Sequence, residues 1–148
     1  MKILIGVDDS PCSQAAVEYV RRASWPAKTK VIVLSAVRPA VIAYSEIYVP
    51  APAAIDEAVE EQMRVSRDLT SQVGVRLREA GLSSEARVLL IDPREGLVQV
   101  ALETGADLIV VGSHGRSGVA KLLLGSVASH VVTHAPCSVL VVKRKGQT

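Results

Sequence analysis

Residues 110–126, VVGSHGRSGVAKLLLGS, place four glycines, a histidine, an arginine and a lysine in seventeen positions between two apolar runs. Three chemistries suit such a stretch: a phosphate cradle, a metal or acid-base site, and a plain surface loop. Gly112 and Gly115 let backbone N–H groups approach an anion with no Cβ in the way. Gly125-Ser126 opens a helical pattern, where unpaired N–H groups, the positive end of the helix dipole and the Ser126 hydroxyl suit a phosphate. Arg116 and Lys121 add cations within the loop. Near the other end of the chain, Asp8 follows a short apolar run, and a carboxylate there can accept hydrogen bonds from a sugar diol. The bland alternative is that the glycines only make turns and Asp8 is a solvated strand end.

These residues reach one place only if the chain folds as alternating strands and helices. Lys2–Val7 (KILIGV) reads as a strand, and Ser10-Pro11 as an N-cap and first helical residue. Val31–Val37 (VIVLSAV) is a second strand; continuous rather than alternating apolarity marks burial on both faces, as in parallel sheets. Arg38 to about Pro52 carries three prolines and no periodicity, the pattern of a functional loop or lid. Ala53–Ala80 reads as a helix closed by Gly81, and Ala86–Ile91 as a third strand. Asp92-Pro93-Arg94-Glu95 reads as N-cap, N1 proline and a capping-box glutamate, with Gly105 ending that helix. Asp107–Val111 is a fourth strand, Ser126 to about His134 a fourth helix, and Ser138–Val142 a fifth strand. The expected fold class is α/β, an open, doubly wound, five-stranded parallel sheet with four helices. Ligands in such sheets bind beyond the carboxyl ends of the strands, where the strand order reverses. If the order is 3-2-1-4-5, strands 1 and 4 are neighbours, and Asp8 and the glycine loop line one crevice.

Composition removes several function classes. The 148 residues include four aromatics and no Phe, which excludes a stacking platform for single-stranded nucleic acid, and the net charge is only +2. Lys143, Arg144 and Lys145 read as a solvated tail. No apolar run approaches about 18 residues and no leader pattern opens the chain, so a cytoplasmic protein with no membrane contact is expected. Cys12 and Cys137 make neither a disulfide framework nor a zinc site, although Cys12 in a first helical turn keeps a redox role open.

The array Gly112-x2-Gly115-x9-Gly125-Ser126 resembles the nucleotide signature of the universal stress protein family. ILIGVDDSPCSQAAV resembles that family's opening strand and helix, ADLIVVGSHGRSGVAKLLLGSVASHVV its signature region and APCSVLVVK its terminal strand. The resemblance covers nearly the whole chain and implies one universal stress protein domain over residues 1–148. It implies a Rossmann-like, adenine nucleotide alpha hydrolase-like sheet of order 3-2-1-4-5, binding ATP and forming a homodimer through the C-terminal edge strand. By position, Asp8 with Val7 beside it matches the ribose site, and Val37 the residue whose backbone meets adenine. Val111 and Gly112 border the nucleotide, and Gly115, Gly125, Ser126 and Val127 hold the phosphates, with His114 and Arg116 in the same loop. Asp9 stands where many members have glycine; its charge near the triphosphate favours a divalent cation, Mg2+ or Mn2+. Ala36 replaces a histidine common in the family, giving a less polar base pocket.

A receiver domain, whose aspartate pair Asp8-Asp9 imitates, fails on layout, because Asp92 and Lys143 come too late in the strand order. A flavin site lacks aromatic partners, and the GK[ST] ending of a P-loop is absent. The expectation is therefore a nucleotide-responsive stress regulator with slow or no ATP hydrolysis and a further, unknown protein partner. The alternative is an enzyme with genuine ATPase or nucleotidyl or phosphoryl transfer activity. Against it, no general base accompanies His114 at a suitable spacing, and His130 and His134 lack a carboxylate close in sequence. Tyr44, Ile47, Tyr48 and Val49 make the 38–52 loop the candidate lid or partner surface.

Overall fold

The computed structural model describes residues 1–39, 52–115 and 124–144. Five strands and four helices alternate: β1 (Lys2–Gly6), α1 (Pro11–Arg22), β2 (Lys30–Val37), α2 (Pro52–Glu79), β3 (Ser83–Leu90), α3 (Pro93–Thr104), β4 (Leu108–Gly112), α4 (Ser126–His134) and β5 (Ser138–Val142). The strands form one parallel sheet in the order β3-β2-β1-β4-β5. The reversal therefore lies at β1, between β2 and β4, as the crevice argument requires.

The two-residue period of β1 assigns its side chains to two layers. Ile3, Ile5 and Val7 pack with Ala16, Val17 and Val20 of α1 and Val73 and Leu77 of α2. Leu4 faces the other way and packs with Leu97, Val100 and Ala101 of α3 and Ala128 and Val131 of α4. Both faces of the central strands are thus covered, which is why β1 and β2 are continuously apolar. At the edges, β3 and β5 are only half-buried.

Helix ends follow the capping residues. Ser10 accepts the Ser13 N–H at 3.2 Å at the start of α1, and Asp92 accepts the Arg94 N–H at 2.9 Å at the start of α3. Gly81 (φ 82°) and Gly105 (φ 61°) turn the chain out of α2 and α3 through left-handed backbone that other residues resist.

Two expectations need correction. First, β3 begins at Ser83, three residues before the apolar run, because Ser83–Glu85 pair with Lys30–Ile32 and Glu85 holds Lys30 Nζ at 2.6 Å. Second, Glu95 does not complete a capping box; its carboxylate turns to α4, where Oε1 lies 3.4 Å from His130 Nε2. No helix among the described residues is long and apolar enough to cross a membrane. Tyr44, Ile47, Tyr48 and Val49 lie outside the described residues.

Candidate functional site

The carboxyl ends of β1, β2 and β4 lie side by side. Val110 pairs with Ile5 and Leu34 with Gly6, so Val111, Gly112, Val7, Asp8 and the last residues of β2 reach the same end of the sheet. Val7, Val37 and Val111 are buried there and can offer a ligand mainly backbone, whereas Asp8 is half-buried at the crevice. Across this end, Val37 stands on one side of Asp8 and the glycine loop on the other.

Gly112 lies directly against the first turn of α1. A Cβ at this position would sit 2.7 Å from the Cys12 carbonyl carbon and 2.9 Å from its oxygen. The glycine therefore has a packing role whatever ligand the loop meets. Ser113, fully buried, donates its N–H to the Val142 carbonyl at 2.8 Å and receives the Gly125 N–H at 2.7 Å. Those two bonds tie the end of β4 to β5 and to the start of α4. They also place Gly125 against the loop backbone, where a Cβ would lie 3.2 Å from His114 Cα and 3.3 Å from the Ser113 oxygen. A Cβ on Gly115 would instead come within 3.0 Å of Asp8 Oδ2.

The fold thus brings Gly115 to Asp8, while Gly112 lies against Cys12 and Gly125 against His114, Ser113 and Gly115. Gly115 and Ser126 are exposed, and Val127 is half-buried behind them. Unlike α1 and α3, α4 has no side-chain cap: its N-cap is Gly125, so no cap oxygen takes the N–H groups of the first turn. The amides of a helix start, its positive dipole end and the Ser126 hydroxyl together suit an anion. Arg116, Gly118 and Lys121 lie outside the described residues.

The His114 ring folds back so that Nδ1 lies 3.2 Å from Ser113 Oγ, and its carbonyl lies 3.4 Å from Ser10 Oγ. Cys12 is buried, with the Ser113 hydroxyl 3.7 Å from its sulfur. Burial also pushes the Cys137 thiol above its ordinary range, the direction that disfavours the reactive thiolate. His130 and His134 stack with ring centroids 4.1 Å apart, and folding supplies His130 with Glu95, a partner 35 positions earlier in the chain. Among the described residues, no three His, Cys, Asp or Glu side chains gather to hold a metal ion.

Three serines that the signature does not include organise the site. Ser10 holds Asp8, Ser13 Oγ accepts the Asp8 N–H at 3.0 Å, and Ser113 joins three elements. Ser10 was legible as a helix cap, and its two-residue spacing from Asp8 was the remaining signal. Two cavities flank these elements. One of about 140 Å³ lies behind Asp8 between α1 and α2, lined by Ser13, Gln14, Gln72 and Arg76 among others. The larger, about 330 Å³, opens beside Trp25, Lys28 and Gly81 at the amino ends of the strands, away from the crevice.

Residues 1–143 match the universal stress protein family. The chain belongs to that family. Among curated members, it is 29% identical to universal stress protein MJ0577 of Methanocaldococcus jannaschii, over 97% of this chain and 95% of that one. It is 30% identical to universal stress protein YxiE of Bacillus subtilis, over 96% and 98% of the two chains. The solved structure of MJ0577 superposes with a TM-score of 0.86 at 26% identity, covering 98% of this chain and 96% of that one. A universal stress protein in complex with cAMP superposes with a TM-score of 0.68 at 27% identity, covering 96% of each chain. The universal stress protein fold and its sheet order are therefore this chain's own.

Proposed function

We propose that this universal stress protein binds an adenine nucleotide, ATP in the first instance, across the carboxyl ends of β2, β1 and β4. The observation that carries the reading is the meeting of Asp8 Oδ2, the Gly115 backbone and the uncapped start of α4 at one crevice. In this reading the base lies toward Val37, Asp8 accepts from the ribose, and Gly115, Gly125, Ser126 and Val127 receive the phosphates, with the positive charge of Arg116 in the same loop. The similar protein that holds cAMP supports the adenine nucleotide class.

A divalent ion, Mg2+ or Mn2+, fits only as a passenger of the triphosphate. Asp8 and Asp9 are the carboxylates beside the crevice, and the described side chains assemble no metal cage of their own. Hydrolysis is slow or absent in this account. The His114 ring is turned onto Ser113, with Nδ1 3.2 Å from Ser113 Oγ, which favours a supporting role for it over that of a base at the γ-phosphate. The protein then works as a regulator whose nucleotide state alters what it contacts, with the homodimer formed along β5.

Nucleotide released by denaturing the purified protein, identified by mass spectrometry, tests the reading. ATP or ADP is expected; cAMP alone would move the assignment to the cyclic nucleotide. A preparation that carries no nucleotide and takes up neither ATP nor cAMP would refute it.

A further inference from the structure

The Asp8 carboxylate is not symmetric. Its Oδ1 accepts two hydrogen bonds from Ser10, one from the backbone N–H at 3.0 Å and a short one from the hydroxyl. Its Oδ2 faces the Gly115 backbone at the mouth of the crevice, 3.0 Å from where a Cβ on Gly115 would lie. The Ser10 hydroxyl is itself fixed, because it accepts the Ser13 N–H at 3.2 Å, and Ser10 is only 4% exposed. A hydroxyl has one proton to donate; with Ser10 Oγ accepting the Ser13 N–H, that proton goes to Asp8 Oδ1, the nearer acceptor, the His114 carbonyl lying 3.4 Å away.

We propose that Ser10 is a positioning residue for nucleotide recognition: it saturates Asp8 Oδ1 and so presents Oδ2 alone, at a fixed angle, to the ribose hydroxyls. This rests on the nucleotide reading given above and names a residue outside the glycine signature. An unrestrained carboxylate rotates about its terminal bond, and holding it still removes an ordering cost that would otherwise fall on binding. The effect of Ser10 must therefore pass through the sugar hydroxyls. A ligand without them should not sense it.

The test compares ATP with 2′,3′-dideoxyATP on the wild-type chain, Ser10→Gly and Ser10→Thr, by equilibrium titration, with thermal melts as a check of folding. Glycine is nearly as good an N-cap as serine, so Ser10→Gly removes the hydroxyl with little harm to α1, whereas threonine keeps both functions. The wild type should prefer ATP by about tenfold, as expected for a hydrogen bond to a charged acceptor. Ser10→Gly should lose about fivefold for ATP and less than twofold for the dideoxy nucleotide, and Ser10→Thr should restore the ATP value. Equal losses for both ligands would overturn the proposal in favour of plain support of the loop. So would no loss, or a wild type that binds the two nucleotides equally, a comparison that needs no variant. A wild type that binds neither would instead refute the underlying nucleotide reading.

Discussion

Gly112 and Gly115 stand three positions apart at the same crevice, yet a methyl group would meet different things at each. At Gly112 it would press into the backbone of Cys12, which cannot yield without moving α1; at exposed Gly115 it would meet only the end of the Asp8 side chain. Gly112→Ala should therefore destabilise the fold by about 1–3 kcal/mol, as overpacked sites do, measured by urea unfolding. Gly115→Ala should unfold at nearly the wild-type urea concentration but weaken ATP binding by displacing Asp8. The sequence spacing marks both positions as glycines of the family signature. It does not separate the two reasons, because Cys12 lies a hundred positions from Gly112 and only the β1–β4 pairing brings α1 over it. Ser10 was readable as a cap, whereas its two-residue spacing from Asp8 permits the grip on that carboxylate and does not say which oxygen is held.

Among the elements, α1 and α3 begin with side-chain caps, and α4 begins without one. The caps were legible because Ser10-Pro11 and Asp92-Pro93 are local signals, satisfied within one turn. The start of β3 and the partner of Glu95 were not, since polar Ser83–Glu85 become strand only by pairing with β2, and Glu95 finds His130 across α4. Asp92 also carries a pH dependence. Its hydrogen bonds from the Arg94 guanidinium, chiefly, with Arg38 nearby, hold its carboxyl below the usual carboxylate value of 3.8. A carboxyl lowered on folding stabilises the native state above the unfolded-state value, and that stability disappears as pH falls through the lowered one. Urea unfolding between pH 6 and pH 3 should therefore show stability falling below about pH 4, with a shallower fall in Asp92→Asn. Identical slopes in the two proteins would contradict the assignment.

For the molecule as a whole, the run of strands and helices was readable, because buried parallel strands are continuously apolar and α1 and α3 between them carry local caps. Strand order was reached through the family signature, since apolar runs do not say which neighbours they take. Among the described residues β5 has no partner strand on its outer side, and Val139–Val142 are half-buried. Exposed edges of this kind invite pairing with another chain. Light scattering at micromolar concentration should give twice the 15.7 kDa chain mass, and the mass of one chain would contradict a dimer through β5.

Titration calorimetry of ATP into the wild type and Ser126→Ala probes the crevice itself. Ser126 is exposed at the start of α4, so its loss should leave the fold intact. Saturable binding of one nucleotide per chain is expected, weakened about tenfold when the Ser126 hydroxyl is removed. No binding by the wild type, or equal affinity in the two proteins, would contradict it.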